Sequence, residues 1–502
     1  MSNFYLTTPI YYVNGEPHIG HAYTTIAADV VARYHRLAKD DVFFATGTDE
    51  HGQKIEKAAK ERGVTPQALT DEVSSVFLKL WDALDIEYTS FIRTTDSSHV
   101  EKVKEFLDKL YQKGDIYLGE YAGWYCVPCE SFFPEKQLED KKCPDCSRDV
   151  ESLKETCYFF RLSAYQDWLI EWIKSNKEGW ISPVSRENEV LGLLKEPLED
   201  LCISRPKERL TWGVELPFDP QHVTYVWFDA LINYYSVLCR DNQEKVFWPC
   251  DAHLIGKDIL RPHAIFWPII LHAMGLELPK KLVVHGWWTV QGEKMSKSKG
   301  NILDPYEIVE EYGLDAFRYF LLREIPFGSD GVFTKEQLIQ RVNTELGNDF
   351  GNFISRTLGM LDKYCQGNVP VFLKNKTDLE EKMDAIYEAV CIKVNENMKD
   401  FAFSLALESI MEYVRSMNSY IENVSPWKLA KDPKAKARLD DVMSYLLQAI
   451  IRMVRFMEPF IPKTVNRVKA HLKVTDSEYE GHVLEEGKNI DKSLILFPRI
   501  EK

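Results

Sequence analysis

Two short polar stretches, far apart in the sequence, carry side chains that suit the binding of a polyphosphate. Residues 18–21 read His-Ile-Gly-His, and residues 294–298 read Lys-Met-Ser-Lys-Ser. Imidazole and ammonium groups donate hydrogen bonds to phosphate oxygens and balance the charge that moves during attack at phosphorus. Taken singly, the first stretch also fits a metal-binding pair or two helix-capping histidines, and the second fits a solvated flexible loop. Their joint occurrence favours a nucleotide site.

A cluster of cysteines suggests a metal site of a different kind. The chain has ten cysteines, and four of them form two C-x2-C pairs with 13 residues between: Cys126, Cys129, Cys143 and Cys146. This spacing is typical of a structural Zn²⁺ site closed by four thiolates. A redox dithiol and two chance pairs are the alternatives. The other six cysteines are scattered, and we expect them to be buried thiols.

The elements around the first stretch predict a parallel α/β sheet. Strand-like runs lie at residues 4–7 and 42–45, and helical periodicity occurs at residues 22–38, 54–62, 66–84 and 99–113. This alternation is typical of βαβ units with helices on both faces of the sheet. His18 and His21 then fall at the carboxyl edge of the sheet, where α/β proteins bind ligands. Gly20 lets a flat base approach the backbone, and the helix N-terminus attracts phosphate.

The pattern changes twice further along the chain. Residues 116–210 hold the cysteine cluster, many aromatics and several turn signals, and they predict an inserted β-rich module. Strands are then expected at residues 223–227, 252–255 and 282–285, and long helices at residues 335–364, 379–399, 404–424 and 435–456. The four helices indicate a bundle, and residues 476–502 resemble a loose, partly β tail.

The composition is that of a soluble globular protein, with 45% hydrophobic and 28% charged residues. No apolar run is long enough to span a bilayer, and the N-terminus has no signal or transit character, so we expect a cytoplasmic protein without membrane contact. The net charge of −15 argues against an indiscriminate polyanion binder. An RNA partner needs only a local basic strip. One candidate, which also fits a solvated face, consists of Lys428, Lys431, Lys434, Lys436 and Arg438.

With both polar motifs in place, the chain closely resembles the methionyl-tRNA synthetase family of class I aminoacyl-tRNA synthetases. The resemblance covers nearly the whole length and includes residues 8–15, 47–52, 225–230 and 255–259. It implies a Rossmann-like parallel-sheet catalytic domain with an inserted zinc-knuckle module, followed by an all-α anticodon-binding helix bundle. The expected regions are a catalytic domain at 1–115 and 211–289, the insert at 116–210, a lysine-loop and stem-contact region at 290–340, the anticodon-binding domain at 341–475, and a tail at 476–502.

The resemblance also implies an activity, methionine–tRNA ligation with ATP, Mg²⁺ and tRNA(Met), and assigns the site residues. Catalysis is assigned to His18, His21, Lys294 and Lys297, and ATP binding to these four with Gly20, Gly256, Asp258 and Ser298. Methionine binding is assigned to Ile10, Tyr12, Asp49, Trp227, Ala230, Tyr234, Ile259, His263 and Trp267. Tyr12 and His263 would donate to the sulfur, a weak acceptor, and Asp49 would bind the α-ammonium group. By themselves the aromatics fit ordinary core, and Asp49 fits a turn cap.

A polar stripe in the predicted bundle suits RNA recognition. Asn348, Asn352 and Arg356 recur every four residues, so on one helix they share a face that can read base edges. Trp427 can stack on an unpaired base. The family has these residue types at this spacing and reads a CAU anticodon with them. A solvated polar face and a core tryptophan are the alternatives.

Three other functions compete with this interpretation: a sister synthetase for leucine, isoleucine, valine or cysteine, a non-catalytic RNA-binding paralogue, and a small-molecule nucleotidyltransferase. The insert is too small for the editing domain of the first three sister enzymes, and the cysteines cluster inside the insert rather than in a pocket. A non-catalytic paralogue is expected to have lost His21 or Lys297, and this sequence has both. Small-molecule nucleotidyltransferases lack the helix bundle. Some relatives carry a dimerising domain beyond the stretch matched by residues 496–500, where this sequence ends, so we expect a monomer.

Overall fold

The computed structural model of the chain divides into two units, residues 1–285 and 286–502. It describes residues 2–13, 15–126, 131–133, 138, 140, 142–144, 147–176, 179–290, 293–294, 303–371, 376–491 and 494–501. Within these ranges the side chains of residues 121, 122, 131–133, 153, 293 and 294 are not described. Among the described helices, none is both long and apolar enough to cross a membrane.

The first unit alternates strands and helices before and after a region of short strands. Its first part contains β1 (Asn3–Tyr12), α1 (Ile19–Leu37), β2 (Asp41–Asp49), α2 (Gln53–Arg62), α3 (Pro66–Ala83), β3 (Ser90–Arg93) and α4 (Ser97–Gln112). The middle contains β4 (Ile116–Cys126), β5 (Ser131–Phe133), β6 (Glu151–Phe160), α5 (Gln166–Ser175), β7 (Ile181–Ser182), α6 (Val184–Leu193), β8 (Leu201–Cys202), β9 (Ser204–Pro206), β10 (Glu215–Leu216) and β11 (Asp219–Thr224). The last part contains α7 (Val226–Leu231), α8 (Asn233–Arg240), α9 (Glu244–Phe247), β12 (Ala252–Gly256), α10 (Trp267–Met274) and β13 (Leu282–His285).

Six strands form a parallel sheet in the order β3-β2-β1-β12-β13-β7. The strand order reverses between β1 and β12, so the carboxyl ends of these two strands flank the switch point where α/β sheets bind ligands. Eight of the nine residues of β2 are buried, as expected for a parallel strand covered on both faces. The prediction of a parallel α/β sheet is confirmed.

The region predicted as a separate insert is β-rich, but it also contributes to the main sheet. Strands β5, β4, β6 and β8 form an antiparallel sheet, and β10, β11 and β9 form another. Strand β7, within the same region, pairs in parallel with β13. The strand predicted at residues 223–227 is wrong in two respects. It ends at Thr224, with Val226 and Trp227 already in α7, and it belongs to an antiparallel sheet.

The second unit is mainly helical, as predicted. It contains β14 (Trp288–Val290), β15 (Glu293–Lys294), α11 (Pro305–Tyr312), α12 (Leu314–Arg323), β16 (Gly331–Val332), α13 (Lys335–Arg341), α14 (Asn352–Cys365), α15 (Asp378–Lys399), α16 (Phe403–Val424), α17 (Pro426–Leu429), α18 (Lys436–Met457), α19 (Pro462–His471) and α20 (Asp476–Gly481). The helix predicted at residues 335–364 is not uniformly α-helical, because Val342–Gly351 is a π-helix between α13 and α14. The predicted loose tail contains α20, and among its described residues the β structure consists of an isolated bridge between Asn489 and Asn368.

Gly47 permits the close contact between β2 and β3, and replacing it with alanine is expected to destabilise the first unit. The added methyl group would lie 2.0 Å from the carbonyl oxygen of Ile92, and overpacking typically costs about 1–3 kcal/mol. Gly192→Ala in α6 is the matched control, because a methyl group there meets nothing within 4 Å. Calorimetry should show a lower melting temperature for Gly47→Ala alone. Equal melting temperatures for the two variants would contradict this packing.

Candidate functional site

The loop after β1 fixes two imidazoles through backbone hydrogen bonds. His18 is the N-cap of α1, and its Nδ1 accepts a hydrogen bond from the Gly20 N–H at 3.0 Å. The His21 Nδ1 accepts from the His18 N–H, also at 3.0 Å, and the two rings stack with centroids 3.9 Å apart. A neutral imidazole that accepts at Nδ1 carries its proton at Nε2. Both histidines are therefore helix caps and also donors through Nε2–H, which suits an anionic ligand.

The same corner is connected to the carboxyl end of β13. The Thr24 hydroxyl donates to the Gly20 carbonyl at 3.2 Å, so it accepts from Nε2–H of His285 at 2.6 Å. Gly20 itself is constrained, because a Cβ there would lie 2.9 Å from Cε1 of His18. The His18 ring can therefore lie against the backbone of Gly20 at the switch point only because this residue is a glycine.

On the other side of the switch point, β12 ends at Gly256 and is followed by a 3₁₀ turn, Lys257–Ile259. A Cβ at Gly256 would lie 2.7 Å from Oδ1 of Asp258, so the glycine leaves room for the carboxylate beside the strand end. Asp258 and His18 thus follow adjacent strands at one sheet edge. This is the placement that the sequence predicted for a nucleotide site.

Polar contacts hold the turn that directly follows Asp49, the last residue of β2. The Glu50 carboxylate accepts from Nε and Nη2 of Arg93 at 2.6 and 3.0 Å. The Glu50 carbonyl accepts from the Trp212 indole at 2.5 Å, and the Trp212 carbonyl accepts from the Gly52 N–H at 3.2 Å. Tyr12 and Asp49 are register partners on β1 and β2. The turn therefore presents Asp49 beside Tyr12 at the carboxyl edge.

Five of the nine residues predicted to bind methionine contact one another. The Tyr234 hydroxyl lies 2.7 Å from Nε2 of His263, whose Nδ1 lies 2.7 Å from the Ile259 carbonyl. The Trp227 ring meets His263 edge-on at 6.4 Å, and the Trp267 ring lies 5.9 Å from Tyr234. Tyr234, His263 and Trp267 are buried, whereas Trp227 and Ile259 are partly exposed.

For three of the other four predicted residues, Asp49, Ala230 and Ile10, the structure gives less direct relations to this cluster. Burial is the main reason that the pKa of Tyr234 is raised well above 10, and the Asp49 carboxylate adds to it, so the two groups lie within electrostatic range. Ala230 is buried on α7, three residues after Trp227. Ile10 packs against the core cluster that contains Tyr5.

Two hydrogen bonds fix the tautomer of His263. Burial lowers its pKa to about 4, so the imidazole is neutral near pH 7. A carbonyl oxygen can only accept, so Nδ1 carries the proton that bonds to Ile259, and Nε2 accepts from the Tyr234 hydroxyl. In this arrangement Nε2 of His263 is an acceptor for Tyr234, and the role of His263 as a donor to sulfur stays a prediction.

A second buried histidine, which the sequence did not single out, supports the aromatic cluster. The Trp267 indole can only donate, so Nε2 of His253 accepts from it at 3.2 Å, and Nδ1–H of His253 donates to the Thr7 hydroxyl at 2.7 Å. Burial holds the pKa of His253 well below 6.5. This neutral imidazole connects β1, β12 and α10 behind the cluster.

A buried carboxylate links the Asp49 turn to α7, and sequence reasoning missed it as well. Asp229 accepts from Nδ1 of His51 at 2.6 Å and from Nε2 of His99 at 2.9 Å. Burial acts to raise its pKa, but the two histidines outweigh burial and hold the pKa at about 2. Tyr12 donates to the His51 carbonyl at 3.3 Å. Asp229 lies within residues 225–230, one of the stretches that resemble the synthetase family, but its partners His51 and His99 are distant in sequence.

The described half of the cysteine cluster fits a thiolate site. Cys126 and Cys143 are both buried and share one small cluster. The Cys143 N–H donates to the Arg148 carbonyl at 2.9 Å. Cys129 and Cys146 lie outside the described residues. Two buried thiols in one cluster are compatible with half of a closed Zn²⁺ shell.

Only the backbone at residues 293–294 is described for the lysine-rich stretch. It forms β15, in which Lys294 lies opposite Thr289 of β14. The Lys294 side chain, and Lys297 and Ser298 entirely, lie outside the described residues. Their roles stay predictions.

The polar stripe of the second unit is solvent-facing. Asn348 lies in the π-helix and Asn352 begins α14, and both are exposed. Arg356 is one-third exposed, and its Nη2 forms an ion pair with Glu422 at 2.6 Å. This ion pair ties α14 to the end of α16, which α17 with the partly exposed Trp427 follows directly.

Asp229→Asn is expected to destabilise the first unit at pH 7. The depressed folded-state pKa contributes stability that is present above the unfolded value near 4 and lost as the pH falls toward 2. The shift from 3.8 to about 2 corresponds to roughly 2 kcal/mol. Denaturant titrations should show this deficit at pH 7 and a smaller one near pH 3. The exposed Asp82→Asn on α3 is the control, and a deficit that does not depend on pH would contradict the assignment.

Comparisons with known proteins agree with this architecture. A family model for class I tRNA synthetases (M) matches residues 4–157 and 149–358, and a model for the anticodon-binding domain of tRNA ligases matches residues 381–485. The methionine–tRNA ligase of Caldanaerobacter subterraneus subsp. tengcongensis is 48% identical over 507 residues, covering 99% of this chain and 79% of that one. That of Fusobacterium nucleatum is 46% identical over 513 residues, covering 99% and 80%.

Solved structures give the same result. Mycobacterium tuberculosis methionyl-tRNA synthetase in complex with methionyl-adenylate matches with a TM-score of 0.95 and 39% identity, covering 99% of this chain and 100% of that one. The apo form of the same enzyme matches with a TM-score of 0.88 and 35% identity, covering 100% of this chain and 99% of that one.

Proposed function

Because this chain belongs to the methionine–tRNA ligase family of class I synthetases, we propose that it joins methionine to tRNA(Met) and so supports translation initiation and elongation. In the first step a methionine carboxylate oxygen attacks the α-phosphorus of ATP, and the bond to the β-phosphate breaks to release pyrophosphate. In the second step a ribose hydroxyl of the terminal adenosine attacks the adenylate carbonyl, and AMP leaves. The relatives that match 99% of the chain support this proposal.

The observation that carries the proposal is the convergence of two sites at one switch point. The Nε2–H groups of His18 and His21 donate to ATP phosphate oxygens, and the Asp258 side chain binds the ribose at Gly256. Lys294, Lys297 and Ser298 are proposed to stabilise the α-phosphate and the leaving pyrophosphate. No side-chain nucleophile is required, so catalysis consists of positioning and charge stabilisation. ATP enters as its Mg²⁺ complex.

Methionine occupies the neighbouring aromatic cluster. Asp49 binds the α-ammonium group, and Trp227, Tyr234, Ile259 and Trp267 enclose the apolar side chain with Ile10 and Ala230. Tyr12 is proposed as the donor to sulfur, and His263 acts through Tyr234 in the observed tautomer. Pocket shape and one weak hydrogen bond favour methionine over another amino acid by only about 1–3 kcal/mol for each group that the other side chain lacks.

The remaining assignments concern metal, RNA and location. Four thiolates, from Cys126, Cys129, Cys143 and Cys146, would hold a Zn²⁺ that supplies structural cross-linking of the insert. The anticodon is proposed to contact Asn348, Asn352, Arg356 and Trp427. The exposed lysines at 428, 431 and 434 suit the adjacent phosphates. A cytoplasmic monomer remains our expectation.

His21→Asn tests the activation site through ATP–pyrophosphate exchange. Removing one oriented donor should lower kcat about 10²-fold, with little change in the KM for methionine, and Lys297→Ala should do the same. His35→Asn is the matched control, because His35 lies at the other end of α1 and pairs with Asp40. Exchange supported by a different amino acid would contradict the pocket. If none of the twenty amino acids supports exchange in the folded wild-type protein, the proposed function is wrong.

Cys143→Ser tests the zinc assignment without relying on activity. The variant should lose most of the roughly one Zn²⁺ per chain that a closed four-thiolate site holds. Mass spectrometry of the metal content of purified protein provides the measurement. Cys365→Ser in α14 is the control and should keep the metal. Equal zinc in both variants would exclude Cys143 as a ligand.

A further inference from the structure

One buried histidine beside the aromatic cluster has both of its ring nitrogens engaged. His253 lies in β12 and is 1% exposed, and it is not among the residues assigned to ATP or methionine. Its Nε2 accepts from the Trp267 indole at 3.2 Å, and its Nδ1–H donates to the Thr7 hydroxyl at 2.7 Å. The Sγ atom of Cys250 lies 3.6 Å from the same Nδ1. These contacts fix the orientation and the tautomer of the ring.

The face of the same imidazole lies against a second aromatic residue of the cluster. The ring centroids of His253 and Tyr234 are 4.3 Å apart, and the ring planes meet at 39°. Tyr234 is held at two further points, because its carbonyl accepts from the Tyr5 hydroxyl at 2.6 Å and its own hydroxyl lies 2.7 Å from Nε2 of His263. Two of the proposed walls of the methionine pocket, Tyr234 and Trp267, therefore contact His253.

The orientation of the Trp267 indole depends on the acceptor that His253 supplies. Trp267 is fully buried as the first residue of α10, where its ring packs in an apolar core cluster. Apolar packing is non-directional. A hydrogen bond, in contrast, restricts the ring to orientations in which the single indole N–H points at its acceptor. The contact with His253 therefore selects one plane for the indole.

The acceptor is present near neutral pH. Burial, with a smaller contribution from His263, holds the pKa of His253 well below 6.5. A protonated ring would carry a hydrogen on both nitrogens and could not accept from the indole. Because a buried N–H without an acceptor is unfavourable, the neutral ring and the Trp267 orientation stabilise each other.

We propose that His253 is a positioning residue that determines the selectivity for methionine, because it fixes the plane of Trp267 and thereby the width of the apolar pocket. The proposal rests on the proposed function, since it assumes that the aromatic cluster binds the methionine side chain. His253 acts through the indole and not by contact with the substrate. Without the acceptor, Trp267 can tilt within its core cluster, and the pocket loses its close fit to a side chain of this length.

Two amide substitutions separate the roles of the two ring nitrogens. His253→Gln places an amide at the position of Nε2 and can still accept from Trp267. His253→Asn places an amide at the position of Nδ1 and leaves the indole without an acceptor. In ATP–pyrophosphate exchange by the full chain, His253→Asn should raise the KM for methionine about 5- to 100-fold. Its kcat and its KM for ATP should change little, and His253→Gln should stay close to the wild type.

The second readout is the preference for methionine over ethionine, which is longer by one methylene group. The ratio of the two kcat/KM values should fall about fivefold or more in His253→Asn, because a pocket with a tilted wall tolerates the added group. A purely structural role would instead destabilise both variants and leave this ratio unchanged. If His253→Gln loses as much preference as His253→Asn, the contact with Trp267 is not the cause, and the proposal is wrong. His471→Asn is the control, because His471 is partly exposed on α19 and bonds to the Asp491 carbonyl at 3.0 Å.

Two further variants keep the result interpretable. Thr7→Val removes the acceptor that holds the proton on Nδ1, so it should lower the preference by less than His253→Asn, and it covers the case in which His253→Asn does not fold. Trp267→Phe should lose the preference directly. If Trp267→Phe loses it while His253→Asn and Thr7→Val keep it, the positioning role is refuted and the pocket assignment stands. If Trp267→Phe also keeps it, the pocket wall and the positioning role both fail. A wild-type chain without methionine-dependent exchange would refute the proposed function itself.

Discussion

The first unit depends on the register of one strand, β1, between β2 and β12. Pairing Tyr12 with Asp49 and Leu6 with Ala252 fixes the relative heights of three strand ends. The nucleotide corner, the Asp49 turn and the Gly256 turn all start from these ends. A slip of one residue would move every side chain of β1 to the opposite face. The two binding sites therefore have one common structural origin.

Four histidines lie beside these elements, and the hydrogen-bond partners of each ring decide what it does. Backbone N–H groups hold His18 and His21 as Nε2–H donors, whereas Trp267 and Tyr234 hold His253 and His263 as acceptors. The four rings are chemically identical, yet two are suited to anions and two to structural support of an apolar cluster. Local hydrogen bonds, more than proximity to the site, separate these roles.

The sequence predicted the helices and strands that have a regular local pattern. It missed the hydrogen bonds between residues that are far apart in the chain. Periodicity located α3, β12 and β13 almost to the residue, and the motif at residues 18–21 falls at the carboxyl edge of the sheet. The partners of Asp229, namely His51 and His99, lie in other elements, so no spacing rule could connect them. The tautomer of His263 depends on the Tyr234 hydroxyl and is likewise a property of the fold. The π-helix was missed because residues 335–364 have ordinary helical periodicity.

The strand order also determines when the sheet can be completed during synthesis. Strand β1 leaves the ribosome early, but its neighbour β12 begins only at Ala252. At the usual translation rates this interval lasts about 10 to 50 s. During this time one edge of an apolar central strand has no partner from its own sheet, and such edges attract other chains. A ligand site at the switch point therefore requires that one edge of β1 stays unpaired until the chain beyond Ala252 has been made.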